Sequence, residues 1–482
     1  MSQEIIGIIF QSSPYLLALL LGLLIPVIAV IAANTAGRWR DSSKIAVILG
    51  TLVLGNAISV GLTGRIIYTQ EELAINPLVG AALETVLSSW AGRVTHAIVL
   101  FVSVGEIFRW VTGARSMAAP AKQVWFAFAA FYIASYWVGV IFATSRDIQL
   151  SWIYAPIAFT ALAILAPSGC NRDAMVKIQW VLLAVLTASL LAALVVPDMV
   201  VERGYKSWIP GFTYRLAGFS DHANSLGIIA ALAVVMELSP FVKKRPNLIF
   251  LCIAVIALIF TQSKTAWMVA MVGIALVRYS DINSGIQSKV PGNAALAMIA
   301  GTLFVAVIAI IPIWLSINSG SLERFLSYEK VFTFTGRTTI WQMSWEEFLA
   351  NPLFGYGPAI WDLQYRYQKN FMAAGQAHNQ LFQTMGQAGL LGLFTLFWYL
   401  YLLGRNCGRL WQSTSGLALI IFISLLIRCF GESPMRLSGL FGMDAFVHLL
   451  AFTFAAAAAA VPLAKKQTAL RAQRVMGWKN QV

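Results

Sequence analysis

The sequence predicts an all-α polytopic membrane protein, a bundle of about 12–14 transmembrane helices carrying one long, partly helical external loop. Three observations predict it. Of 482 residues, 59% are hydrophobic and only 11% charged, against about 25% charged in ordinary soluble domains. Mean hydropathy is +0.74. The apolar residues fall in blocks of roughly 18–23, the length that crosses a bilayer core as a helix, not in the short alternating segments of a membrane β-barrel. A soluble enzyme is excluded. The net charge of +14 follows from basic residues gathering on one side of a membrane and calls for no nucleic acid. Cys170, Cys252, Cys407 and Cys429 are scattered, with neither a disulfide framework nor metal-type spacing.

Hydropathy places thirteen spans at about 15–33, 45–62, 94–111, 123–143, 150–167, 178–196, 223–240, 246–261, 265–279, 293–315, 384–404, 412–430 and 444–462. The eighth and ninth are short and nearly fused, parted only at Ser263-Lys264-Thr265. We read residues 1–482 as a single transmembrane domain. Residues 1–14 lack a basic n-region, so no cleavable signal peptide is expected. With the N-terminus outside, Arg38, Arg40, Lys44, Arg109, Arg115, Lys177, the run Lys243-Lys244-Arg245 and the tail from Lys465 to Lys479 all fall on the inner side. The positive-inside rule therefore puts the N-terminus outside and the C-terminus in the cytoplasm. The basic tail then meets anionic headgroups.

Most connections are short, but residues 316–383 form an external loop of nearly seventy residues, and long loops of this kind are usually functional. It holds Trp341, Trp345, Phe348, Phe354, Tyr356, Trp361, Tyr365 and Tyr367, enough aromatic surface to pack on itself. Thr338–Leu349 reads as an amphipathic helix ended by Asn351-Pro352, and Trp361–Phe371 as a second. External loops at 63–93 and 197–222 also exceed turn length.

Five basic and five acidic side chains nearly cancel within the long loop. An anion there would be held by particular arginines, not by a diffuse field. Arg337, in Thr335-Gly336-Arg337-Thr338, sits where a helix starts. Guanidinium and helix N-terminus together suit a phosphate; the alternative is an ion pair with Glu346 or Glu347. His378, in Gln376-Ala377-His378-Asn379, lies where the loop re-enters the membrane. It is either a general base working near neutral pH or an interfacial histidine bonded to backbone. Arg215 in Tyr214–Ser225 is a second phosphate candidate. In the same stretch Asp221, His222 and Asn224 either line a polar cavity or cap a re-entrant turn. Glu106 and Arg109, three apart on one helix, read as a structural pair. Lys264 stands at an external mouth, and Arg428 and Glu432 border the twelfth span, either paired or facing one cavity. There is no P-loop, no dinucleotide fingerprint, no Asp-x-Asp pair and no His/Cys/carboxylate metal spacing. Metal-independent chemistry on a pre-activated, lipid-borne substrate suits these absences, with no cofactor.

Thr335-Gly336-Arg337-Thr338-Thr339-Ile340-Trp341, Asn351-Pro352-Leu353-Phe354-Gly355-Tyr356-Gly357, His378-Asn379 and Gly386-Gln387-Ala388-Gly389-Leu390-Leu391-Gly392 follow one another across residues 250–405. In that order, around a long external loop, they resemble the O-antigen ligase/polymerase family. The earlier Arg215–Asn224 stretch is similar to the family's Arg-x-x-Gly-x-x-x-x-x-Asn element, and the Thr-Gly-Arg-Thr form is most similar to exopolysaccharide polymerases of the Wzy type. The resemblance implies a GT-C-like fold in a bacterial inner membrane and inverting, metal-independent glycosyl transfer on the periplasmic face. The donor would be a glycan on undecaprenyl diphosphate and the acceptor another lipid-linked repeat unit. A flippase and a chain-length regulator are the implied partners. Carried over by motif, Arg215 and Arg337 would hold the diphosphate with Asn224, His222 and Asn379 beside them, and His378 would activate the acceptor hydroxyl. Lys264 stands where the family often has arginine, keeping the charge without the two-pronged geometry. Transfer to lipid A core or to a protein, as by a ligase, is the alternative. A lipid-linked glycan transporter is more remote, because no paired helix interruptions are visible.

Overall fold

The computed structural model describes residues 26–67, 85–205, 213–285, 337–371, 375–437 and 442–458. Its elements in order are α1 (Pro26–Gly37), α2 (Asp41–Leu62), α3 (Val86–Val111), α4 (Ala119–Phe142), α5 (Leu150–Gly169) and α6 (Arg172–Val195). A small hairpin of β1 (Val201–Arg203) and β2 (Tyr214–Leu216) follows. Then come α7 (Ala223–Leu238), α8 (Leu248–Thr261), α9 (Lys264–Gly285), α10 (Arg337–Ala350), α11 (Leu363–Gln368), α12 (Gln380–Arg409), α13 (Leu417–Gly431) and α14 (Met443–Ala457).

Six of these helices, α2 to α6 and α12, are long and apolar enough to cross a membrane, and α1, α7, α8, α13 and α14 are shorter apolar helices. With α9, a described helix meets at least part of every expected span except 293–315; that span, residues 15–25 of the first and 459–462 of the last lie outside the described residues. The protein is therefore an all-α polytopic membrane protein. α7 has 16 residues, about 24 Å of helix, less than the roughly 30 Å of a bilayer core. It nevertheless sits at the centre, apolar all round and buried from Leu226 to Met236, packed by α6, α8, α9 and α14. A helix wrapped by helices on every side need not match lipid thickness.

Several boundaries differ from the sequence reading. α3 begins at Val86, capped by Thr85, so the expected 63–93 loop is shorter. The second loop helix is six residues, not the eleven of 361–371, because Trp361 (φ 74°) and Asn370 (φ 51°) are left-handed and stop it at both ends. The β hairpin within 197–222 was not anticipated. α8 ends at Gln262 (φ 49°), which turns the chain sharply into α9.

α4 contains one π turn at Ile133–Trp137. Such a turn frees carbonyls from the helix ladder, and Ser135 O accepts from Gln387 Nε2 at 2.8 Å. α12 is broken at Gly389 (φ 59°, ψ −151°). The break opens its backbone to the Asn351–Gly357 loop: Leu390 N donates to Pro352 O at 2.8 Å, Tyr356 N to Gly386 O at 2.8 Å and Gly357 N to Gln387 O at 3.0 Å. Gly355 (φ 67°) faces this seam, where a Cβ would come within 2.6 Å of Gly386 O. The two glycine-rich motifs are thus welded to one another and fix the first half of α12.

At the end of the bundle where α2 and α6 begin, Lys44 Nζ lies 2.6 Å from Glu106 Oε1 with both side chains fully buried. Arg109 reaches the same oxygen at 3.0 Å, the pair the spacing predicts. Arg115 reaches Asp41 at 2.5 Å. The same end holds Glu237, bonded to Gln179 and Lys243. The opposite end carries the candidate site.

Candidate active site

Four helix N-termini meet at the C-terminal end of α13. α7 arrives with Asn224, whose Nδ2 donates to Glu432 Oε1 at 2.9 Å. α10 begins with Arg337, whose Nη2 stands 3.9 Å from the same oxygen. α12 is capped by Asn379, whose Nδ2 donates to Phe430 O at 3.4 Å. α9 starts at Lys264, and its Thr265 methyl would lie 3.1 Å from a Cβ on Gly431. Each N-terminus brings partial positive charge. Arg215, Arg337 and Arg428 add full charges. Helix N-termini and guanidiniums together make the surroundings of the Glu432 carboxylate electropositive.

Glu432 is the hub. Its Oε2 accepts from His378 Nδ1 at 2.7 Å and from Gln376 Nε2 at 2.9 Å. Its side chain is 6% exposed, while those of His378 and Arg337 are 30% and 24% exposed. The carboxylate is thus interior, and the imidazole and guanidinium face open space. Burial raises the Glu432 carboxyl, but the His378 hydrogen bond, the charges of Arg428 and His378 and the Asn224 hydrogen bond outweigh it and hold it at about 2. An ionised carboxylate only accepts, so His378 Nδ1 donates this bond; in the neutral imidazole the remaining lone pair is then on Nε2.

Arg215, on β2 opposite Glu202, is 6% exposed. Its Nε donates to Thr261 O at 2.9 Å and Nη2 to Asn224 Oδ1 at 2.5 Å. Nη1 stands 3.7 Å from Glu202 and the guanidinium lies over the Tyr205 ring at 4.7 Å. Arg428 Nη1 donates to Asn224 O at 3.0 Å and Nη2 to Ser225 Oγ at 3.3 Å. One chain of contacts therefore runs Arg215–Asn224–Glu432–His378, with Arg337 and Arg428 on its flanks.

His378 takes a left-handed backbone, φ 48°, held from both sides. Ala377 O accepts from Trp341 Nε1 at 3.0 Å, and Ala377 N donates to Gln383 Oε1 at 3.0 Å. The Trp341 ring stacks on Phe382 at 5.0 Å. Asn379 Oδ1 caps Leu381 N and Phe382 N. Beneath this lies a small separate core of Ile340, Ile360, Trp361, Tyr365 and Ala377. The described part of the long loop does pack on itself, as its aromatic content predicts, and presents a fixed imidazole.

The structure brings Arg215, Asn224, Arg337, His378 and Asn379 together. Arg337 faces Glu432, while Glu347 pairs with Lys369 at 2.6 Å. His222 caps α7, its Nδ1 accepting from Asn224 N at 3.1 Å. Desolvation of its inner edge, then the Arg215 and Arg428 guanidiniums, push that imidazole down to about 4, so it is neutral and suited to capping. Asp221 turns away to Asn56 at 3.1 Å. Lys264 is exposed, with no ionic or hydrogen-bond partner among the described residues. Sequence reasoning saw Glu432 only as a border residue. Its signal was an acid two residues beyond an apolar span, too common to single out a hub.

Fold and site thus define a polytopic membrane protein with a buried carboxylate, an imidazole and three arginines gathered at one end of its helices. Residues 248–397 match the family model described as O-antigen ligase, which bears out the resemblance to the O-antigen ligase/polymerase family. The chain is also 27% identical over 203 residues to the exopolysaccharide production protein ExoQ of Rhizobium meliloti (strain 1021), a match covering 38% of this chain and 45% of that protein. The chain thus spans less than half the length of this relative. The family segment contains Arg337 and His378; Arg215, Asn224, Arg428 and Glu432 lie outside it.

Proposed function

We propose that this protein is a glycan polymerase of the bacterial inner membrane. It transfers an undecaprenyl-diphosphate-linked oligosaccharide onto a sugar hydroxyl of another lipid-linked repeat unit, as a GT-C-like inverting glycosyltransferase. The observation that carries the reading is the meeting of Arg215, Arg337 and His378 around Glu432. The acceptor oxygen attacks the anomeric carbon, and the bond from that carbon to the diphosphate oxygen breaks. His378 Nε2 takes the hydroxyl proton, and the diphosphate leaves on its lipid. Charge grows on the leaving group, and fixed cations are worth most in that transition state. Arg215 and Arg337 supply them, assisted by Lys264 and by the helix N-termini at Asn224 and Asn379. Glu432 keeps His378 in the tautomer that accepts.

This reading assigns diphosphate neutralisation to the guanidiniums. Residues 1–482 then form one transmembrane domain, with 316–383 as its periplasmic loop, the N-terminus periplasmic and the C-terminus cytoplasmic. A flippase delivering the repeat units and a chain-length regulator are the partners this role requires. The likeness to an exopolysaccharide production protein favours a polymerase over a ligase that would use lipid A core as acceptor.

The test is reconstitution. Purified protein in liposomes, given lipid-linked repeat units from the source strain and EDTA, should build a glycan ladder and release lipid diphosphate. Elongation that stops in EDTA and returns with added magnesium or manganese contradicts the guanidinium mechanism. Transfer only to lipid A core would make the protein a ligase.

A further inference from the structure

We propose that Asp147, Gln149, Asp362 and Arg366 form the subsite that holds the sugar hydroxyls of the acceptor glycan; this rests on the transferase reading above. These residues lie outside the Arg215–Glu432–His378 chain, on the α4–α5 loop and around α11.

Asp362 occupies the N-cap position of α11 yet makes no side-chain cap bond. An aspartate there ordinarily bonds its own helix. Instead Oδ2 accepts from Gln149 Nε2 at 3.4 Å, and Oδ1 stands 3.6 Å from Arg436 Nη2. Arg366 lies one turn further along the same helix. Asp147 is steadied by Ser145 Oγ at 2.7 Å. The loop beneath is rigid, because Ser145 N donates to Tyr356 O at 2.7 Å and Asn351 Nδ2 to Phe142 O at 3.0 Å. Asp147 and Gln149 are exposed, and the Asp362 side chain is 35% exposed. The polar heads are therefore fixed in place and open to a ligand.

The platform is joined to the reacting centre. Arg436, which faces Asp362, also donates to Gly375 O, three residues before His378. The next residue, Gln376, bonds Glu432. Asp362 is thus tied through Arg436 to the segment that carries the imidazole.

Carboxylates, an amide and a guanidinium offer acceptors and donors side by side, the complement of vicinal hydroxyls that each donate and accept. Their charge argues for the acceptor and against the donor diphosphate. Asp147 and Asp362 are balanced by Arg366 and Arg436, so this surface is near neutral, whereas the neighbouring centre sets Arg215, Arg337 and Arg428 around one carboxylate. The two halves of the site therefore sort a neutral polyol from a phosphate.

The experiment uses full-length protein in liposomes, lipid-linked repeat units as donor, and a fluorescent repeat-unit oligosaccharide, released from the strain's lipid-linked pool, as acceptor. Asp362→Ala should raise the acceptor KM about tenfold and Gln149→Ala about threefold, a loss of uniform binding. The donor KM and the kcat at saturating acceptor should stay within about twofold. Gln149 is exposed, so its variant tests the subsite even if Asp362→Ala folds poorly. An unchanged acceptor KM in both variants, with the wild type active, overturns the subsite alone. So does a fall in kcat with acceptor KM unchanged, which would make the cluster a structural tie. A wild type that neither elongates nor releases lipid diphosphate removes the transferase reading and the subsite with it.

Discussion

Replacing Glu432 by glutamine keeps the size of the side chain and removes the charge on which the site turns. The carboxyl is held at about 2 against an ordinary 4.5, a difference that corresponds to about 3 kcal/mol favouring the ionised form. That favourable interaction comes chiefly from His378, Arg428 and Asn224, and the variant forfeits most of it. Glutamine still offers an oxygen to Nδ1, but its neutral amide can also flip and donate to that nitrogen, which would leave His378 protonated at Nε2. The imidazole would then be unable to take the acceptor's proton. kcat for glycan elongation should fall at least about a hundredfold, the low end of what a positioned base contributes. The donor KM should not rise, because removing a negative charge beside Arg337 and Arg215 leaves the diphosphate site more positive. The assay is initial-rate elongation from lipid-linked repeat units in liposomes, with protein amount matched by quantitative blot. A glutamine variant at the wild-type rate, or one whose loss is entirely in donor KM, would refute Glu432 as the residue that orients His378.

Arg337→Lys should lose much of the activity despite keeping its charge, because a two-pronged donor becomes a point charge; Arg215→Ala should be worse than removing any arginine of the cytoplasmic set, and elongation assays at matched protein level check both. Acid should destabilise the fold through Glu432. Its lowered pKa contributes stability above pH 4.5, and that contribution is lost as pH falls toward 2. Melting temperature in detergent should therefore drop over that range, and drop less steeply in Glu432→Gln. At the other end of the bundle, Lys44→Met removes the fully buried partner of Glu106 and leaves it Arg109 and Arg115; the lost charged hydrogen bond should cost about 2 kcal/mol, read as a lower melting temperature, and an unchanged melting temperature would show that the buried pair does not hold α2 to α3.

Hydropathy carried most of the fold, because a span in lipid must satisfy its own backbone and so reads as one apolar block. Even the short α7 and α8 were legible this way. What hydropathy could not show is which polar groups the folded bundle buries. Lys44 looks like any inner-side lysine, yet it is fully buried against Glu106. Arg215, Arg337 and His378 were visible because each sits in a local motif at a loop–helix junction. Glu432 became visible only when α7, α10 and the His378 loop converged on it from more than fifty residues away in the chain. The extent of α11 was hidden for a local reason. Trp361 and Asn370 adopt left-handed backbone, and apolar periodicity does not register where φ changes sign.

The central claim is that His378 removes the acceptor's proton, and the His378→Gln variant tests it most directly. Glutamine can hydrogen-bond but cannot take up the proton. Elongation of lipid-linked repeat units by the purified variant should be abolished while donor binding survives, because the arginines remain. A His378→Gln variant that keeps substantial activity would contradict the claim.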